Sequence, residues 1–319
     1  MNPSSPTVLG LAPTLPRPLS RWGWLTTPVP VERAAALRIA VAAVLLFDIL
    51  VQYLPNLAAY YGPEGFGAPA VVDPLLAAPA WRWSVLRLFP PTWGPQLLCG
   101  IWAVAAFALL VGYRPRLAAV VCWVLAVSFV NGNVYLHNAG DRLKMFLLLM
   151  LVFLPSDGRW AIRLHPAARA ATGPVLIHPW PLRLMMLQLT LMYFLNGYYK
   201  ALGPAWWDGT VMIDVANNPT WAHFSADYMP LPDAALKLSA WVTMGWELFF
   251  PLLVVMPLTR KATLWIGVFF HVATFVHLEV GLFALYALCF YAPLVPWERY
   301  RAEHEAHQTD CTFKPAQDV

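Results

Sequence analysis

The chain has 319 residues, of which 59% are hydrophobic and 12% charged, with a formal charge of +4 and a mean hydropathy of +0.56. A soluble domain carries roughly twice that share of charge, so the composition excludes a water-soluble globule and indicates a polytopic membrane protein. The small positive excess sits in short loops between apolar runs, which argues against a nucleic-acid partner and leaves the lipid bilayer as the first one.

Residues 1–30 begin MNPSSPTVLGLAPTLPRPLS, rich in Pro and Ser, with no charged segment leading into an apolar one. A flexible cytoplasmic tail is expected there, not a signal peptide. A crossing helix needs about 20 apolar residues, and such helices are predicted at about 34–53, 95–113, 116–131, 141–155, 181–200, 233–256, 261–277 and 280–296. The last two are separated on length: at 1.5 Å per residue a single helix from Leu264 to Pro296 reaches roughly 50 Å, too long for one crossing. The chain must therefore turn near His277 to Gly281. The predicted fold is an all-α integral membrane protein of about eight transmembrane helices, with its membrane domain at 31–297 and a short cytoplasmic tail at 298–319.

Loop charge sets the orientation. Arg17, Arg21 and Arg33 precede the first span, Arg114 and Arg116 lie in the second loop, Arg159, Arg163, Arg169 and Arg183 near the fourth, and Arg260 with Lys261 in the sixth. Those regions are predicted cytoplasmic, so both termini lie inside a bacterial-type plasma membrane. Two outer segments exceed simple turns. In 54–94, Leu75, Leu76, Trp83 and Leu86 suggest a helix lying in the interface, and 201–232 carries WWDG and NNPTWAHFSADY; long loops of this kind tend to be functional.

Ionisable groups inside spans mark candidate sites. Arg38 and Asp48 lie about 15 Å apart along the first helix and cannot pair with each other, so each needs a partner elsewhere. Glu247 and His271 each lie about ten residues above the Arg260–Lys261 loop, which makes them a candidate pair across neighbouring helices, either a proton relay or a polar floor. The densest outer set is NGNVYLHNAGDRLK, with Asn131, Asn133, Tyr135, His137, Asn138, Asp141, Arg142 and Lys144. Asp141 falls in the first turn of the fourth helix, where a carboxylate suits the dipole and Lys144 sits three residues on. Cys99, Cys122, Cys289 and Cys311 have no metal-ligand spacing and are expected to be packing thiols; no metal site is expected.

Lys200 ends the fifth span in FLNGYYKALGPAWWDG. A lysine at a helix end ordinarily snorkels to the headgroups. This end, however, is predicted to face outward, where positive charge is disfavoured. A lysine desolvated among Tyr198, Tyr199, Trp206 and Trp207 is a candidate general base.

Taken in order, ALRIAVAAVLLFDIL, AYYGPEG, LVGYRPRLAAV, NVYLHNAGDRLKMFLLLMLVFLPSDGRW, GYYK with WWDG, WELFFP and GVFFHVATFVHLEVGLF resemble the HTTM family, membrane proteins related to vitamin K-dependent gamma-carboxylase. The resemblance runs from about Arg33 to Trp297. It implies a carboxylase-like enzyme in which Lys200 is the base that deprotonates a reduced quinone such as vitamin K hydroquinone. His137 and Asp208 are then orienting or proton-handling groups. The implied pocket adds Asn131, Tyr135, Asp141, Arg142, Tyr199, Trp206, Trp207, Glu247, His271 and His277. The carboxylase has two adjacent lysines where this chain has Tyr199 and Lys200, and nothing here matches its large lumenal domain. The resemblance therefore extends to quinol-type chemistry on a lipophilic small molecule more than to carboxylation of a protein. The alternative is a non-enzymatic accessory or immunity-like membrane protein in which the same residues hold the bundle together.

Overall fold

A computed structural model describes residues 6–12, 23–68, 71, 82–224, 228 and 230–300. Ten helices carry the architecture: α1 (Glu32–Tyr61), α2 (Gly94–Val111), α3 (Pro115–Gly132), α4 (Ala139–Phe153), α5 (Trp180–Ala201), α6 (Pro204–Asp208), α7 (Thr210–Asn217), α8 (Asp233–Val255), α9 (Pro257–His277) and α10 (Phe283–Cys289). Among the described residues α1, α2, α3 and α8 are long and apolar enough to cross a membrane. The chain is an integral membrane protein.

α1 is longer than the predicted 34–53. It runs on to Tyr61 through a π-helical turn at Ile49–Tyr53. Pro55 explains that turn: it has no N–H for the Val51 carbonyl, and its ring would strike that carbonyl in α geometry. The widened turn has a geometric consequence. Five residues of α-helix advance about 500°, which puts positions 48 and 53 on different faces, whereas an i→i+5 turn brings them onto one. Asp48 and Tyr53 both point into the core.

The hydrophobic core lies among α1–α4 and α10, where Trp102 stacks on Phe129 with centroids 5.1 Å apart and Tyr53 meets both rings edge-on. α5, α8 and α9 pack beside it, and the α5–α8 contact is the most extensive of any helix pair. The α2–α3 turn is tight: Gly112 closes α2 at φ +75°, in the left-handed region, and Pro115 opens α3.

At one end of the bundle lies a three-stranded sheet ordered β1–β3–β2, with β1 (Thr7–Leu9) parallel and β2 (Val29–Pro30) antiparallel to β3 (Val175–Ile177). Two pieces of the segment expected as a loose tail are thus strands. At the same end, Arg33 donates to Glu298 at 2.9 Å and Arg159 lies 3.5 Å from Glu32. Arg38 donates to the carbonyls of Ser156 and Trp160, which are the partners its burial requires.

The opposite end carries the two long connections. The interfacial helix expected on Leu75 and Leu76 lies outside the described residues; its remainder is a 3₁₀ turn at Val85–Leu88. The described part of the 201–232 segment contains α6 and α7. The turn expected near His277 to Gly281 is present, since α9 ends at His277 and Gly281 takes φ +59°. The last predicted span, 280–296, is interrupted: α10 stops at Cys289 and a 3₁₀ turn follows at Ala292–Leu294.

Candidate functional site

Two sequence features bring Lys200 to Glu247. Gly197, one turn before Lys200 on the same face of α5, has no side chain to hold α8 away, and a Cβ there would collide with the Leu248 backbone nitrogen. Pro251 in α8 cannot donate to the Glu247 carbonyl four residues back. Backbones in direct contact at Gly197 set Lys200 Nζ 2.5 Å from Glu247 Oε2. The lysine also stands over the Trp206 ring, 4.7 Å from its centroid, and 5.9 Å from that of Phe270. Glu247 is buried, with 3% of its side chain exposed against 21% for Lys200.

Lys200 lies at the wall of an apolar chamber of about 360 Å³, within the usual range for small-molecule sites, with Glu247 behind it and not lining the chamber. Its walls come from α5–α9 and include Lys200, Trp206, Phe224, Leu236, Phe270 and His277, with Ser239, Thr243 and Thr274 as isolated hydroxyls. The make-up suits a lipophilic ligand with one acidic polar group: apolar walls for its body and the Lys200 ammonium for that group.

Glu247 does not pair with His271. The imidazole Nε2 bonds the Tyr193 hydroxyl at 2.6 Å, and that hydroxyl bonds Tyr291 at 2.8 Å. The expected Glu247–His271 pair is replaced because the two side chains meet α5 about two turns apart: Glu247 reaches Lys200 at its end, and His271 meets Tyr193 seven residues earlier. The two tyrosines were missed by sequence reasoning; a hydroxyl within an otherwise apolar span was the available signal.

A second polar cluster forms where α1, α4 and α10 meet. Lys144 Nζ lies 3.0 Å from Asp48 Oδ2, 2.8 Å from Asp141 Oδ1 and 3.0 Å from the Tyr53 hydroxyl. Tyr286 donates to Asp48 at 2.7 Å. Lys144 is thus the partner Asp48 required. Asn138 and Asp141 form a capping box that starts α4. His137 and Arg142 belong here as well: Arg142 Nε donates to His137 Nε2 at 3.1 Å, and His137 Nδ1 lies 3.7 Å from Asp141.

The remaining expected site residues disperse. Asp208 ends α6, is exposed, does not line the chamber, and has no hydrogen-bond or ion-pair partner among the described residues. Trp207 is exposed and spends its indole N–H on the Ala201 carbonyl, 2.8 Å away. Tyr199 and Tyr135 are exposed, and Asn131 donates to the Trp83 carbonyl at 2.9 Å. No group of three metal-ligating side chains occurs among the described residues.

The HTTM domain model matches residues 80–296, two thirds of the chain. The chain belongs to the HTTM family. No curated protein and no solved structure matches it. The matched region runs from the connection after α1 to just past the 3₁₀ turn at Ala292–Leu294, so this HTTM protein keeps Lys200, Glu247, the chamber and Lys144 inside the family domain, whereas all of α1, with Asp48 and Tyr53, precedes it.

Proposed function

We propose that this HTTM protein crosses the membrane about eight times with both termini in the cytoplasm, and that it is an enzyme acting at the outer membrane edge on a lipophilic, weakly acidic small molecule of the quinol type. One observation carries the reading: a lysine paired to a buried carboxylate at the wall of an apolar chamber. A reduced quinone bound there supplies the acidic hydroxyl and the redox chemistry. To act as the base, Lys200 must first give up its own proton, and Glu247 is the acceptor beside it. Trp206 covers one side of the lysine. Arginine is no substitute, because its guanidinium does not release a proton in proteins.

The test is consumption of a reduced prenyl naphthoquinone by membranes containing the protein. Lys200→Ala and Lys200→Arg are expected to abolish turnover; an unchanged rate in either removes Lys200 as the base. Mass analysis of lipid-soluble material retained in mild detergent is expected to recover about one quinone per chain.

The non-enzymatic reading draws on the same contact, since an ion pair beside Gly197 pins α5 to α8. In that case no quinone co-purifies, and the paired replacement Lys200→Met with Glu247→Leu leaves partner binding intact.

A further inference from the structure

The cluster around Lys144 has a charge inventory that does not close. One ammonium faces two carboxylates, with side-chain exposures of 1% for Lys144, 3% for Asp48 and 7% for Asp141. His137 does not restore the balance. Its Nε2 is taken by Arg142, which donates to it, and its Nδ1 lies 3.7 Å from Asp141 and makes no hydrogen bond. The Arg142 guanidinium is exposed and its charge is screened by water. One negative charge is left where an uncompensated charge costs several kcal/mol.

Directly in front of Asp141 is a polar cavity of about 340 Å³, separate from the chamber at Lys200. Asp141 and Tyr53 reach it from the cluster, whereas Lys144 does not line it. Its other walls present the side chains of Gln52, Asn56 and Asn138 and the ring of Tyr60. Glu279, bonded to His223 at 2.7 Å and largely exposed, stands at the rim. Both charged residues on these walls are acidic, the amides supply acceptor oxygens, and Tyr60 supplies an aromatic ring of the kind that attracts organic cations.

We propose that this cavity binds an ammonium group, primary or methylated, which provides the positive charge the buried cluster lacks. A bare metal ion is ordinarily held by several converging ligands, and no group of three His, Cys, Asp or Glu side chains placed to hold one occurs among the described residues. An organic ammonium needs one carboxylate, amide acceptors and aromatic faces, which are present. The chemistry is shared by a free amine and by the amine headgroup of a phospholipid. Val51, an exposed apolar wall residue, gives the cavity a side compatible with the headgroup source.

The experiment titrates purified full-length protein in detergent with ethanolammonium chloride and with tetramethylammonium chloride, against sodium chloride at equal ionic strength, and reads the unfolding temperature. Binding to the native state makes that temperature rise saturably with ligand. The expected result is a saturable rise with at least one ammonium salt and none with sodium. Asp141→Asn is expected to weaken binding roughly tenfold or more. Because Asp141 also caps α4 and holds Lys144, Gln52→Ala and Glu279→Gln serve as second variants, expected to weaken binding about threefold with the unliganded unfolding temperature unchanged. Repeating the titration in nanodiscs separates the sources. If discs of phosphatidylethanolamine abolish the response to free amine while discs of phosphatidylglycerol keep it, the headgroup is the ligand; a response in both assigns a free amine. The proposal is overturned by the absence of an ammonium-specific rise, or by a response undiminished in all three variants.

Discussion

Lys200 Nζ on α5 lies 2.5 Å from Glu247 Oε2 on α8, and the two ends of this contact differ in their access to water. Glu247 is sealed, while Lys200 keeps a fifth of its side chain exposed. Removing the lysine strands a buried carboxylate; removing the carboxylate leaves a lysine that can still reach solvent or headgroups. Lys200→Met is therefore expected to destabilise more than Glu247→Leu, by about 3 kcal/mol against about 1. The double replacement should recover most of the loss. Unfolding in detergent measures all three, and equal single-variant effects would show that the asymmetry in burial has no energetic counterpart.

The Lys144 cluster is expected to be the most sensitive ionic feature of the molecule. Lys144→Met leaves Asp48 and Asp141 without their shared cation and should cost about 3–5 kcal/mol. Lys144→Arg should not rescue it, because the ammonium fits within 4.8, 5.5 and 5.7 Å of the Tyr53, Trp102 and Tyr286 ring centroids and leaves no room for a planar guanidinium. Expression and unfolding of the two variants provide the measurement.

Two glycines make a matched pair. A Cβ at Gly267 would collide with the Tyr291 hydroxyl that bonds Tyr193, whereas nothing lies within 4 Å of a Cβ at Gly100. Gly267→Ala should cost about 2 kcal/mol or more through overpacking and loss of that bond. Gly100→Ala should be neutral or stabilising by up to about 1 kcal/mol, the helix-propensity gain. The difference in unfolding temperature between the two variants reads this directly.

The Arg33–Glu298 contact predicts a pH effect. Partial burial alone would raise the Glu298 carboxyl, but the bond from Arg33 outweighs it and the group titrates below the ordinary carboxylate value. A depressed folded-state value means that the stabilisation is fully present above the unfolded-state value and is lost as pH falls through the folded one. Wild type should lose stability below about pH 4 slightly more steeply than Glu298→Gln. The effect is small because both side chains are about a quarter exposed.

The proposed sidedness is testable with an impermeant maleimide. Cys99, Cys122 and Cys289 are buried and should not react. In a Cys311→Ser background, a cysteine in place of exposed Asp208 should label on intact cells and one in place of Arg260 only after lysis. The reverse pattern overturns the orientation drawn from loop charge.

The helical segments were legible in the sequence, because an apolar run of fixed length and a break such as HLEVG follow from hydropathy and from 1.5 Å per residue. The capping box at Asn138 and Asp141 was legible in part, through the acidic residue of the first turn. The pairing of charges was not. Equal depth suggested Glu247 with His271, but depth fixes only one of the coordinates a side chain needs; rotation about each helix axis and the distance between axes fix the others. Both depend on local departures from regularity. Pro55 opens the turn that puts Asp48 and Tyr53 on one face, and Gly197 lets α5 close on α8 so that Lys200 reaches Glu247.

By itself the sequence determined that this is an apolar, helical membrane protein, roughly where most of its long helices lie, and that its polar residues stand at helix ends and in a few buried positions. The tertiary structure alone decided which of them meet: Lys200 with Glu247, Lys144 with Asp48 and Asp141, His271 with Tyr193. The physical reason is that hydropathy is a sum along the chain, whereas an ion pair depends on distances between chains of atoms far apart in sequence and changes sharply over a few ångströms.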